Sequence, residues 1–113
     1  MELSDASGKL GALAHETRLA VFRLLVAAGP DGLAAGDIAR RLDVPPPTLS
    51  FHLRDLAEAG LAVPRRDGRL HFYAADFEAM NALMSYLTDN CCEGRPELCA
   101  PGARPRRREA VRP

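Results

Sequence analysis

The 113-residue sequence has no net charge, because 15 Lys and Arg are matched by 15 Asp and Glu. Such a chain is not an indiscriminate binder of polyanions, so any contact with nucleic acid has to come from local clusters of charge. Long apolar runs are missing as well. The most apolar stretch, Leu19 to Ala28, is interrupted by Arg23 and is only about half a bilayer span. No basic and then apolar segment opens the chain. These absences predict a soluble, cytoplasmic protein with no membrane partner. Cysteine is scarce, with three residues confined to the window from Cys91 to Cys99. An odd number in so short a window is poor material for a disulfide framework and better suited to metal or thiol chemistry in a reducing compartment. There is no internal repeat, and the length has room for one domain with a modest core.

The overall neutrality hides a division. The stretch from Arg104 to Arg112 holds five arginines and one glutamate, which leaves ten basic and fourteen acidic residues in 1–99 and a net charge there near −4. Residues 100–113 lack apolar periodicity and are predicted to form a disordered tail rich in Arg and Pro.

The best specified segment is Pro45 to Leu61, PPPTLSFHLRDLAEAGL. Prolines open it where a helix has spare N–H groups, and Gly60 closes it where a left-handed residue is wanted. Leu49, Leu53 and Leu56 form one apolar stripe, which leaves Thr48, Phe51, His52 and Asp55 facing outward. Small hydroxyls, an imidazole and an aromatic ring near a helix N-terminus suit base edges, thymine methyls and phosphates. A DNA-reading helix from Pro46 to Ala59 is therefore expected.

The preceding residues predict three more helices. Ser4 or Asp5 is placed to cap the first, through Leu13, and a second starts at His15-Glu16-Thr17-Arg18 and ends at the turn Gly29-Pro30-Asp31-Gly32. The third runs from Ala35 to Leu42, with Ile38 and Leu42 inward and Arg40 and Arg41 outward. Two short helices joined by about four residues are the helix-turn-helix arrangement. After Gly60 the period changes to two, in Leu61-Val63 and in Leu70-Phe72-Ala74, which is a strand signal. Asp67-Gly68 between them reads as a type I′ hairpin turn, with Pro64 restricting the first strand to an edge. This basic-tipped hairpin is a wing, able to lay Arg65, Arg66 or Arg69 along phosphates or a minor groove. Asp76 then caps a last helix from Phe77 to Asn90, whose stripe Phe77, Met80, Leu83, Met84 and Leu87 is expected to form a two-fold dimer interface with help from the first helix. The predicted fold is mainly α with a small β-hairpin (α+β), a winged helix-turn-helix of order α-α-α-α-β-β-α.

These elements and residues resemble the ArsR/SmtB metalloregulatory repressors, over roughly residues 8 to 99. LAHETRLAVFRLL is similar to the opening of that family's second helix. Ser50-Phe51-His52-Leu53, followed by Leu56 and by Glu58-Ala59-Gly60-Leu61, is similar to its recognition-helix signature, and RRDGR fits its wing. The resemblance implies a homodimer on a double-stranded, imperfectly palindromic operator that leaves when a toxic metal or metalloid binds. Pro47, Thr48, Ser50, Phe51, His52, Arg54, Arg41, Arg65, Arg66 and Arg69 are the expected DNA contacts, and residues 1–99 the DNA-binding and dimerisation domain with its thiol cluster.

The sequence departs from the family's common metal sites. AAGDIARRL has no cysteine where many arsenic-responsive members carry a Cys-Val-Cys box. The last helix holds Asp76, Glu78 and Asp89 but no histidine, a poor match to a zinc site that uses nitrogen. What remains is CCEGRPELC, which looks like the C-terminal cysteine cluster of a subset of arsenic sensors.

Trivalent arsenic and antimony are thiol-seeking centres that take three sulfur ligands in a trigonal pyramid, so Cys91, Cys92 and Cys99 match by count and softness. Gly94 and Pro96 let the connection turn so that Cys99 returns toward the adjacent pair. Cadmium or lead on three thiolates, or zinc with a fourth ligand, are the competing metals. Thiol oxidation, most simply Cys92 with Cys99, is the other alternative. No organic cofactor is implied. Ser50 and His52 resemble a nucleophile and its base by type, but positions two apart on a helix point to different sides, and the chain is not expected to be an enzyme.

Overall fold

The computed structural model describes residues 1–89. Its elements are α1 (Leu3–Leu13), α2 (Glu16–Ala28), β1 (Leu33–Ala34), α3 (Ala35–Leu42), α4 (Pro46–Glu58), β2 (Ala62–Asp67), β3 (Leu70–Ala75) and α5 (Phe77–Leu87). The chain divides into two units, Met1–Leu83 and Met84–Pro113. The core and the sheet belong to the first. Among the described residues no helix is long and apolar enough to cross a membrane.

Each helix has a local chemical reason to start and stop. His15 caps α2, its Nδ1 accepting from the Thr17 N–H at 3.1 Å. α3 ends at Asp43, the only described non-glycine residue in the left-handed region, where a short polar side chain is tolerated. α4 starts with Pro46 at its first position, where the missing N–H costs nothing. Its end is a Schellman motif: the Leu61 N–H donates to the Leu56 carbonyl at 2.9 Å and the Gly60 N–H to the Ala57 carbonyl at 3.0 Å. Leu61 itself is fully buried, so the motif both ends α4 and anchors the start of the hairpin.

The core is built around α4. Leu49, Leu53 and Leu56 are 1%, 0% and 0% exposed and pack with Val21, Phe22 and Leu25 of α2 and with Ile38 of α3. Helices of 8 and 13 residues such as α3 and α4 are marginal alone in water, so this shared burial is what holds them in place.

The structure departs from the sequence reading at the element ends. α1 begins at Leu3, one residue ahead of Ser4, and its N-cap Glu2 makes no side-chain bond. Asp5 instead sits in the first turn and binds the buried Lys9 ammonium at 2.9 Å. A two-residue strand, β1, adds to the hairpin and makes a three-stranded antiparallel sheet of order β1-β3-β2. Pro64 does lie on an edge strand, β2. The pair Asp67–Leu70 closes the hairpin, so Gly68-Arg69 is the two-residue loop. Only Gly68 of these two has positive φ, at 63°, which makes the turn type II′ in place of I′. At α5, the Asp76 carboxylate accepts from the Ala79 N–H at 3.0 Å, as a cap should. The helix ends at Leu87, ahead of the expected Asn90, which lies outside the described residues. The Thr88 hydroxyl and backbone N–H both donate back to the Met84 carbonyl, at 2.9 and 3.2 Å.

The stripe on α5 has two kinds of member. Leu83 is buried, and Phe77 and Met80 are partly buried against the core cluster. Met84 and Leu87 are 43% and 55% exposed. Cys91, Cys92 and Cys99, and the tail 100–113, lie outside the described residues.

Gly32 precedes β1 at φ 73°, and a Cβ there would overlap the Tyr73 backbone carbonyl of β3. Gly32→Ala should therefore destabilise the protein by about 1–3 kcal/mol from backbone strain, with the clash in addition. Gly68→Asn, at the open wing tip with nothing near its Cβ position, should cost less than about 1 kcal/mol. Urea melts of the two variants test this, and equal midpoints would contradict it.

Candidate nucleic-acid interface

Burying Leu49, Leu53 and Leu56 turns the opposite side of α4 outward. Pro47, Thr48, Ser50, Phe51 and Arg54 are all exposed, Phe51 by 55% in spite of its apolar ring. Hydroxyls, an aromatic face and a guanidinium along two turns can meet base edges, a thymine methyl and a phosphate respectively.

His52 is not part of that side. It is 6% exposed, whereas the sequence pattern alone places it outward. The reason is helical geometry: position 52 is i+3 from Leu49 and i−4 from Leu56, so it flanks the leucine stripe and widens it. Its ring centroid lies 4.7 Å from that of His15. Burial, and then the neighbouring His15 and Arg18, push the His52 imidazole below its ordinary pKa, with Asp55 opposing. Asp55, half-buried, faces the Arg18 guanidinium at 3.7 Å. Ser50, exposed, and His52, buried, point to different sides and form no catalytic pair.

The wing sorts its arginines by alternation. Cross-strand pairs Pro64–Tyr73 and Arg66–His71 occupy one face of the hairpin, and Val63–Ala74 and Arg65–Phe72 occupy the other. The first face looks toward α4 across an open hollow of about 560 Å³ lined by Ser50, Arg54 and Glu58 on the helix and by Pro64, His71 and Tyr73 on the sheet. Arg66 is thus grouped with the exposed side of α4. Arg65 is on the opposite face, where its guanidinium stacks 4.7 Å from the Phe72 ring centroid and donates to the Asp31 carbonyl at 3.1 Å. It ties the wing to the turn after α2 and does not share the hollow. Arg69 is exposed in the tip, and Arg41 is exposed in the last turn of α3. Arg40 is paired with Asp37.

The arrangement therefore joins Ser50, Arg54, His71 and Tyr73 around one hollow, with Thr48 and Phe51 on the same helix and Arg66 on the same wing face as His71. His71 and Tyr73 were not among the sequence candidates. The signal for them was present, because the alternation that marks the strand also places His71 and Tyr73 on the face of Pro64 and Arg66. Among the described residues no group of three His, Cys, Asp or Glu side chains is placed to hold a metal.

Residues 13–65 match the model of a helix-turn-helix domain family. The chain is 30% identical over 88 residues to the HTH-type transcriptional regulator YgaV of Escherichia coli, a match covering 78% of this chain and 87% of that protein. It is 41% identical over 66 residues to the putative arsenical resistance operon repressor ArsR of Halobacterium salinarum, covering 58% of this chain. The aligned parts span 60% and 50% of the lengths of two of the curated relatives it matches. Among solved structures, the homodimeric winged helix-turn-helix DNA-binding domain of Mb0332 from Mycobacterium bovis, a possible ArsR-family regulator, superposes with a TM-score of 0.62 at 29% identity over 82% of this chain and 86% of that one.

Phosphate contacts are read most directly by salt. Arg54→Ala and Arg66→Ala should each weaken binding to duplex DNA and reduce the slope of log affinity against log salt by about 1. Arg65→Ala should leave that slope nearly unchanged and instead lower the melting temperature. A slope change confined to Arg65→Ala would reverse the assignment of the two wing faces.

Proposed function

Since the chain belongs to the ArsR family of helix-turn-helix transcriptional regulators, we propose that it is a repressor that sits on its operator as a homodimer. In this reading it leaves the DNA when trivalent arsenic or antimony is bound by Cys91, Cys92 and Cys99. The observation that supports DNA reading best is the two-sidedness of α4. One side is locked into the core through Leu49, His52, Leu53 and Leu56, and the other leaves Thr48, Ser50, Phe51 and Arg54 exposed, with Ser50 and Arg54 across the hollow from His71. Pro47, Arg41 and Arg69 are exposed at the flanks, where contacts position a protein on DNA without reading its sequence.

A second copy is the proposed occupant of two separate apolar patches, one on α5 and one on α1. Met84 and Leu87 of α5, and Leu3 and Leu10 of α1, are exposed at 43%, 55%, 73% and 42%. Phe77, Met80 and Leu83 supply the inner part of the stripe. Two-fold pairing would set two copies of α4 about 34 Å apart, on successive major grooves of an imperfect palindrome. The relative from Mycobacterium bovis is described as homodimeric, which supports the same assembly.

The inducer is inferred from donor chemistry. Three thiols in nine residues, with no histidine among them, suit a soft trivalent centre better than a hard or nitrogen-preferring ion. The similarity to a protein named as an arsenical resistance operon repressor points the same way. Drawing Cys91, Cys92 and Cys99 together, shortly after the end of α5, would change the angle between the two DNA-binding halves. The coupling must be reciprocal: arsenite weakens DNA affinity by the factor by which DNA weakens arsenite affinity, typically about 1–3 kcal/mol.

The test uses the full chain on duplex DNA from the region upstream of its own coding sequence, under reducing conditions. Arsenite and antimonite should release the wild type. Cys91→Ser, Cys92→Ser and Cys99→Ser proteins should bind with unchanged affinity and stay bound. Normal release of the triple variant would refute the cysteine site. Release of the wild type by cadmium, zinc or peroxide, but not by arsenite, would transfer the same thiols to another soft metal or to oxidation.

A further inference from the structure

Two buried polar atoms lack a hydrogen-bond partner among the described residues, the Nε of Arg18 and the Nδ1 of His52. Both lie where α2 meets α4, and the DNA-facing side uses neither. The His52 ring rests against the ring of His15 at 4.7 Å, tilted by 48°. His15 in turn caps α2 through its own Nδ1. Next to them the Arg18 guanidinium lies 3.7 Å from the Asp55 carboxylate and donates to the Ala12 carbonyl at 3.4 Å. One cluster of four ionisable side chains thus links the end of α1, the first turn of α2 and the middle of α4.

We propose that this cluster is a proton-sensitive latch on the DNA-reading helix, in which His52 is a positioning residue that holds α4 against α2 while its imidazole is neutral and loosens it when protonated. The effect on binding rests on the reading of α4 as the DNA-reading element; the titration itself does not.

The charge count in the cluster explains the sign. Arg18 is always positive, and Asp55 is its counter-ion. A proton on His52 adds a second cation against a single carboxylate. The new charge would also sit in a buried place with no acceptor for the Nδ1 proton. Several charged groups of the other elements that pack on α4 have partners of their own, among them Arg65 of β2, stacked on Phe72 and bound to the Asp31 carbonyl. Lys9 and Asp5 of α1 pair beside Gly60, at the far end of α4, and Asp37 and Arg40 of α3 pair with each other. On α4 itself Arg54 and Glu58 are exposed. Burial, His15 and Arg18 all act to keep His52 neutral, and Asp55 alone acts the other way.

The linkage follows. The unfolded chain takes up a proton at His52 as pH falls through about 6.5, while the folded chain resists until a lower pH. Stability and α4 seating are therefore complete above that range and decline below it. His71 is exposed on the wing beside the DNA-facing side, so the test needs a variant that alters only the latch.

His15→Asn is that variant, because asparagine keeps an oxygen for the α2 cap and removes the second imidazole. Histidine Cε1–H signals, melting temperature and affinity for the upstream duplex are measured from about pH 7.5 to about pH 5.5 in wild type and variant. The latch predicts that His52 titrates below the ordinary imidazole value and moves upward in His15→Asn. It also predicts that the wild type loses several-fold more affinity, and more degrees of melting temperature, than the variant as pH falls. Asp55→Asn should move His52 further down. Titration of His52 at the ordinary value, or identical pH profiles in wild type and His15→Asn, would overturn the latch. If neither protein binds the duplex at any pH, the DNA reading fails, and the titration and melting curves decide the latch by themselves.

Discussion

The whole surface depends on one side of α4 being buried. Leu49, Leu53 and Leu56 are nearly solvent-free, and burying a leucine contributes roughly 1.5–3 kcal/mol. That is far more than a 13-residue helix opened by three prolines gains from its own hydrogen bonds. The rotation of α4 about its axis is therefore set by the core, and with it the set of side chains that faces out. His52 belongs to the buried arc, which makes the fit between α4 and α2 partly polar and sensitive to charge.

The wing is positioned by a second constraint, the close approach of the turn after α2 to β3. Gly32 lets the chain pass against the Tyr73 carbonyl, and β1 then pairs Leu33 with Tyr73. The same turn brings the Asp31 carbonyl to Arg65. One wing arginine, Arg65, is thereby part of the support, stacked on Phe72, while the register of the hairpin puts Arg66 on the face whose His71 lines the hollow beside α4. With residues 1–99 carrying a net charge near −4, such local placement matters more than bulk attraction: a few guanidinium groups on an acidic body favour selective over indiscriminate contact.

Much of this was legible from residue order. The prolines before Thr48, Gly60 after the leucines, Asp76 before Phe77 and the change of period after Gly60 each name a helix end or a strand by local chemistry, and each is where the structure has it. What was not legible depends on small rotations or on distant partners. His52 falls at the edge of a stripe, and a polar side chain there is read as outward unless its neighbour is known; His15, which it meets, is 37 positions earlier in the chain. β1 is two residues long, too short to show a period, and exists because β3 has an open edge. The turn is displaced by one residue because register is set by pairing along the strands, whereas Asp67-Gly68 taken alone is a good type I′ sequence. Arg65 and Arg66 look alike until the face of each is known.

On the proposed function, α4 and one face of the wing make a single DNA-contacting surface, with the other wing face acting as support. Mapping backbone and side-chain NMR shifts of the full chain as it binds the duplex from upstream of its own coding sequence tests this most directly. Shifts are expected at Thr48, Ser50, Phe51, Arg54, Arg66 and His71, with Val63, Arg65 and Phe72 little changed. Shifts centred on Val63, Arg65 and Phe72, with the exposed side of α4 silent, would contradict it.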